Sequence, residues 1–292
     1  MNHYTISAYK HGSDLIKGVQ NIGLNANMRQ IIASGSGAVD PSFVSIGKIA
    51  PEITFDTNAV KTALAKLGGI NGAALSNDIF FLQKMAAGGL RAGTSSHTKV
   101  TLASGIIVPT SISVSDGEAA TIGYRVVPVS ADGDASPIAI TTLQSLEANQ
   151  DLLAELYTLG AVTINGADID GVDKWTLDFG ITLEIVNHHI YPTFAGVMSR
   201  GPSFSITTFD MDTFEDWGLE GETQGVTDST VKLVDLVNGG LRGSSPITFT
   251  IDAGMAHYES IAGRQGGRWS GTVRITPVWD GTADIIAISG IT

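Results

Sequence analysis

Apolar and polar residues alternate along two stretches of this chain, His97-Thr-Lys-Val-Thr-Leu102 and Ile247-Thr-Phe-Thr-Ile-Asp252. Period-two alternation puts one face on a core and the other in solvent, so both predict half-buried strands. Shorter apolar patches (Tyr4 to Ile6, Leu15-Ile16, Ile31-Ile32) predict one or two strands over residues 4–33, and Ser34-Gly-Ser-Gly37 reads as a flexible turn. Helical spacing appears at Thr57 to Leu67, where Val60, Leu64 and Leu67 share a stripe. Asp56 or Thr57 can cap that helix and Gly68-Gly69 stops it. Ile79 to Ala87 and Val231 to Val237 fit strand and helix periods equally. The Gly-Gly pair after each suits a bulge or tight turn and favours strand. Ser145 to Tyr157 has the spacing for a helix of about three turns, and Val162-Thr-Ile-Asn-Gly166 reads as a strand entering a turn.

These patterns occur twice. Pro41-Ser-Phe43 through Pro51 recurs as Pro192-Thr-Phe194 through Pro202, 151 residues later. The same offset carries Gly88-Gly89-Leu-Arg91 onto Gly239-Gly240-Leu-Arg242. Gly18-Val19 matches Gly171-Val172 at 153. Arg125-Val-Val-Pro128 through Asp132-Gly133 parallels Arg274-Ile-Thr-Pro277 through Asp280-Gly281, with Asp-Gly read as a hairpin turn. Ile138-Ala-Ile140 and Ile286-Ala-Ile288 close the halves, and Thr213 to Trp217 after Asp210 and Asp212 predicts a shorter second helix. The reading is two homologous domains, 1–145 and 146–292, each long enough for its own core and packed together. The prolines mark the edges of elements. The recurring Arg91/Arg242 and Arg125/Arg274 are either structural ion-pair sites or repeated interface contacts.

Charge separates the halves. Residues 1–145 hold 10 basic and 9 acidic residues, net +1, and residues 146–292 hold 7 and 20, net −13. So acidic a chain is poorly suited to gripping phosphates. Glycine is high at 35 residues and charged residues are low at 16%, against averages of about 7% and about 25%. A low-charge, glycine-rich β-chain fits either a surface largely covered by neighbours or a monomeric β-protein with a neutral polar surface. There is no cysteine, hence no disulfide or thiolate metal site. Met1 to Ser7 has no basic region followed by an apolar run, so no signal peptide is expected, and no apolar run reaches the roughly 18 residues that span a bilayer.

No catalytic signature emerges. Asp168-Ile-Asp-Gly-Val-Asp173 begins like a calcium loop but lacks the ligand and glycine that should follow, and Asp210 to Asp216 fails similarly. His188-His189, on a strand, point to opposite faces and are a poor metal pair. Arg264 to Trp269 reads as a hairpin tip at a subunit interface. No dinucleotide, P-loop or nucleophile-elbow motif is present. The expectation is a non-enzyme without cofactors.

The order of motifs resembles the tail tube proteins of long-tailed, siphovirus-like bacteriophages. A Pro-x-Phe segment leads to a second proline and the Phe55-Asp56-Thr57 helix start. Gly-Gly-x-Arg follows, then Val108-Pro-Thr-Ser-Ile-Ser113 and the Val-x-Pro-Val-x-x-Asp-Gly strand. The resemblance implies a mainly β (α+β) fold of two β-sandwich or half-barrel tube domains, each flanked by a short helix. Sheets of neighbouring subunits line a channel, and an extended loop reaches the next ring. Six tube domains per ring imply a homotrimer with pseudo-sixfold symmetry, stacked helically. The implied partners are further copies of the chain and the tape-measure, terminator and baseplate proteins. DNA passes without binding during ejection, past an acidic lumen that repels phosphates. The implied location is the virion tail, assembled in the host cytoplasm without membrane insertion. The competing readings are another tail ring, terminator or baseplate-proximal hub, and a two-domain carbohydrate-binding β-sandwich. The latter is disfavoured because all four Trp (Trp175, Trp217, Trp269, Trp279) fall in the second half.

Overall fold

The computed structural model describes residues 3–36, 39–86, 89, 91–148, 150, 153, 155–210, 224–237, 241–263, 268–281 and 284–292. Among them the chain is mainly β, with one short helix. The first half runs β1 (His3–His11), β2 (Asp14–Ile16), β3 (Val19–Asn25), β4 (Met28–Ala33), β5 (Phe43–Ile49), β6 (Glu52–Thr57), α1 (Val60–Lys66), β7 (Ala73–Ala74), β8 (Asp78–Met85), β9 (His97–Leu102), β10 (Gly105–Ser115), β11 (Thr121–Pro128) and β12 (Ile138–Gln144). The second runs β13 (Tyr157–Ile164), β14 (Ala167–Ile169), β15 (Val172–Asp178), β16 (Thr182–His188), β17 (Tyr191–Ser199), β18 (Ser203–Thr208), β19 (Gln224–Val226), β20 (Ser229–Val237), β21 (Leu241–Arg242), β22 (Ile247–Ile251), β23 (Gly254–Ala262), β24 (Ser270–Pro277) and β25 (Ala287–Ser289).

The halves share a strand order. One sheet reads β12-β9-β8-β1-β2 and another β25-β22-β20-β13-β14, each strand standing where its chain-order counterpart stands. A ten-stranded sheet is common to both halves. Its path runs through β19, then β23-β24-β18-β15 from the second half, then β10-β11-β6-β3 from the first. Register irregularities coincide as well. β10 bulges between Pro109 and Ser111, and β23 between Tyr258 and Ser260. β3 bulges between Val19 and Asn21, and β15 between Val172 and Lys174. A bulge adds local twist, so matched bulges bend both halves of the shared sheet alike.

Each smaller sheet packs face to face on its half of the shared sheet. Tyr9 and Phe80 meet Phe55 at ring separations of 4.9 and 5.3 Å, and Tyr124 stacks on Phe55 at 5.3 Å. In the second half Phe249 meets Trp175 and Phe204 at 5.9 and 6.2 Å. The alternating stretches form β9 and β22 and bury alternate residues as the period requires. The far face of the shared sheet is polar. One row across five strands reads Ser115, Lys174, Thr207, Thr272, Ser260.

Several expectations need correction. Residues 4–33 form four strands, because the apolar residues of β4 face solvent and break the alternation that marks a buried strand. The helix starts at Val60, since Thr57 is still paired in β6. Its N-cap, Ala59, makes no side-chain cap, and Glu155, 93 residues away, accepts the Thr62 N–H at 2.7 Å. Of residues 145–157, those described are not helical, and 149, 151, 152 and 154 lie outside the described residues. Asp132-Gly133 is no hairpin turn: it lies on a crossover from β11, in the shared sheet, to β12, which pairs β9. The Asn165-Gly166 turn does join antiparallel neighbours, β13 and β14, with positive φ at both residues (52° and 78°). The second helix, at 213–217, lies outside the described residues.

Burial makes two phenols sensitive to alkali. Burial, then the Asp78 carboxylate its hydroxyl bonds, pushes the Tyr9 phenol well up, and burial alone pushes Tyr124 up. The folded chain therefore holds these protons more tightly than the unfolded chain. The associated stability is complete below about pH 10 and is lost as pH rises beyond it, by about 1.4 kcal/mol per pH unit for each phenol. Far-UV circular dichroism in urea, followed alongside tyrosinate absorbance, is expected to show the urea midpoint falling from pH 10 to 12. A flat midpoint would separate these phenols from stability.

Candidate subunit interface

The two halves of the chain meet inside the shared sheet. β15 pairs antiparallel with β10, Ser111 opposite Asp178 through Ser115 opposite Lys174. Alternate residues of both strands (Trp175 and Leu177, Ile112 and Val114) turn into the common core and are buried. Antiparallel pairing satisfies backbone groups that an open edge would leave to water.

A second contact crosses the same joint. β16 and β17 form a hairpin arm that projects from β15 and β18 and lies over the first half. Ser130 N–H donates to Pro192 O at 2.7 Å, and Ile190 and Tyr191 N–H donate to Gly133 O at 3.1 and 2.9 Å. Ile49 N–H donates to Ile190 O at 2.8 Å. The turn that receives the arm is shaped by Asp132, whose carboxylate accepts Ala135 N–H, Asp134 N–H and the Ser130 hydroxyl. Those bonds, Ala135 first, hold its carboxyl down at about 2. Gly133 is required here: its φ is +84°, and a Cβ would collide with His188 O. A third contact joins the Ala120 N–H to Tyr157 O at 2.7 Å.

Several partners in this joint have a counterpart at an end of the chain that is uncovered. Leu177 is 0% exposed, while Leu24, its equivalent on β3, is 55% exposed. Pro192 and Gly133 are buried, and Pro41 and Gly281 are exposed. Tyr157 is buried and Tyr4 is exposed. Among the described residues, β3 pairs only with β6. β23 is covered by β19 at Gly254–Ala256, and among the described residues Ser260–Ala262 have no strand partner on that side. β7 covers β10 likewise at Ile106 and Ile107.

The repeated residues divide among three places. Pro41 and Phe43 lie at the tip of the β4–β5 arm, Pro192 and Phe194 on the β16–β17 arm, and both phenylalanines are exposed. Pro51 and Pro202 sit buried at the arm bases. Pro128 and Pro277 end β11 and β24, buried, just ahead of the receiving turns. Arg125 reaches across to Glu52 at 2.7 Å. Arg274 bonds Glu259 at 3.3 Å and Ser203 Oγ at 3.2 Å. Both arginines are thus held on the polar sheet face by cross-strand partners. Gly89, with φ +77°, and Arg91, bridged to Met85, follow β8. Arg242 lies in β21 beside Leu236. Gly88, Gly239, Gly240 and most of the Arg264 to Trp269 loop lie outside the described residues. His188 and His189 occupy the arm tip rather than opposite strand faces, their rings T-shaped at 4.7 Å, because the chain reverses at His189 (φ +57°).

Sequence reasoning missed Leu177 and Ile112 of the joint and the uncovered Leu24 on β3. The shared Gly-Val at Gly18 and Gly171, which opens β3 and β15, was the available signal. Among the described residues no group of three or more His, Asp or Glu could hold a metal ion, and no helix is long and apolar enough to cross a membrane. The chain matches no protein-family model and no curated protein sequence.

Proposed function

We propose that this chain is a phage tail tube protein, built of two homologous tube domains, 1–145 and 146–292, of which three copies close a ring and rings stack into a tube. The observation that carries the reading is the β15–β10 joint together with its two uncovered counterparts. One end of the ten-stranded sheet is β3, and at the other β19 pairs with the Gly254–Ala256 part of β23 and with no further part of it among the described residues. A heterologous contact between such edges propagates, and it gives a ring where the rotation closes. Transferring the internal register puts Asn25, Leu24 and Gly23 of one copy opposite Ser260, Ile261 and Ala262 of the next. Pairing removes the exposed edges and covers Leu24.

On this reading the polar face of the shared sheet lines the channel. It presents hydroxyls, Arg125 and Arg274 each engaged by a carboxylate, and the further carboxylates of Asp56 and Asp178. DNA passes because, among the described residues, this face carries no cluster of cations to grip its phosphates. The role is structural, in the virion tail, with tape-measure, terminator and baseplate proteins as further partners.

Negative-stain electron microscopy of concentrated protein is expected to show stacked rings of pseudo-sixfold outline. Single capped rings would favour the terminator or hub reading, and a strict monomer at every concentration would remove both.

A further inference from the structure

The ring reading leaves one element unseated. The β4–β5 arm exposes Ile31, Ile32, Phe43, Val44 and Ile46, although its counterpart β16–β17 lies seated across the first half. We propose that the β4–β5 arm docks on the Pro277–Gly281 turn of the next copy of this chain, as β16–β17 docks on the Pro128–Gly133 turn of its own. The inference rests on the ring reading and adds the contact that latches each seam between chains.

The two arms are built alike. Each carries a register shift at the same place, between Arg29 and Gln30 and between Thr182 and Leu183. Each leaves the shared sheet from strands at equivalent positions, β3 and β6 against β15 and β18. The receiving turns correspond too. Gly281 has φ +92°, near the +84° of Gly133, so it can take the same close approach of an arm tip. Both halves of the proposed contact are uncovered in the single chain: Val39, at the place of Ile190, is 97% exposed, and Trp279, at the place of Ser130, is 66% exposed. The exchange of serine for tryptophan has a physical reason. The internal joint is held by the continuity of the chain, whereas a seam between chains gains from a large apolar anchor, and tryptophan is enriched at such positions.

The chain contains no cysteine, so cross-linking reads the contact directly. Differently tagged Pro41→Cys and Trp279→Cys proteins are to be mixed, assembled and oxidised. A disulfide-linked pair carrying both tags is expected from the mixture, with no dimer from either variant alone. As a control, Ser130→Cys with Pro192→Cys in one chain should close within that chain, since Ser130 N and Pro192 O are 2.7 Å apart. Rings in the micrographs with the control closed and no mixed link would overturn the docking while leaving the ring reading in place. Links between two Pro41→Cys chains would also overturn it, by making the contact symmetric. Absence of any assembly would remove the ring reading and the docking together.

Discussion

Replacing Leu24 by aspartate leaves the single chain folded and abolishes its assembly. Leu24 is 55% exposed in the isolated chain, and substitutions at such positions usually shift stability by no more than about 0.5 kcal/mol. In the assembled seam the same side chain takes the place of Leu177, which is 0% exposed. Burying a leucine contributes about 2 kcal/mol. Its loss alone raises the concentration needed for assembly about 30-fold, and the buried, unpaired carboxylate raises it further. The internal counterpart behaves oppositely: Leu177→Asp puts the charge into the finished core and unfolds the chain. Sedimentation velocity and urea titration of the two variants, side by side, separate an assembly edge from a folding core. Rings formed by Leu24→Asp at the unmodified protein's concentration would show that β3 is no seam.

Trp175→Ala is expected to lower stability by about 3–5 kcal/mol, a large part of the roughly 5–15 kcal/mol that holds a typical domain folded. The indole is completely buried where β15 meets β10, with Phe204 and Phe249 at 6.1 and 5.9 Å. Truncation empties the core beside the joint of the two halves, so both feel the loss. Its Nε1–H has no hydrogen-bond partner among the described residues. Trp175→Phe therefore gives up volume but no polar interaction, and should cost under about 2 kcal/mol. Urea midpoints for the two variants check this ordering. Equal losses would mean that the indole N–H, not the ring volume, matters at this site.

The strands easiest to read from sequence were those with one face in the core. His97–Leu102 and Ile247–Ile251 alternate because burial is alternate. The glycines after Leu67 end the helix as expected, both with positive φ. Illegible were contacts whose partners are remote or absent. The Thr62 N–H is satisfied by the remote Glu155, and Thr57 Oγ1 accepts the N–H of Ala59 just ahead of the first turn. The β4–β5 arm faces solvent on both sides in the single chain, so its Ile31-Ile32 pair signals neither helix nor half-buried strand. Asp132-Gly133 has the composition of a hairpin turn and is shaped locally by the Asp132 carboxylate, but that it receives the β16–β17 arm is set by remote residues and is not legible in the local sequence. The repeat spacing carried information that period did not, since it survives in Pro41 and Pro192 where burial has diverged.

The continuity of β15 with β10 also sets how assembly depends on concentration. In a ring of six separate domains every seam would form between independent bodies, each losing its translational and rotational freedom. In the proposed ring half the seams close when one polypeptide folds, at an effective concentration fixed by the linker rather than by the solution. Three-body closure would then replace six-body closure. Nucleation of the first ring is expected to follow a lower power of protein concentration than for an unlinked pair of the same domains, which the concentration dependence of assembly checks.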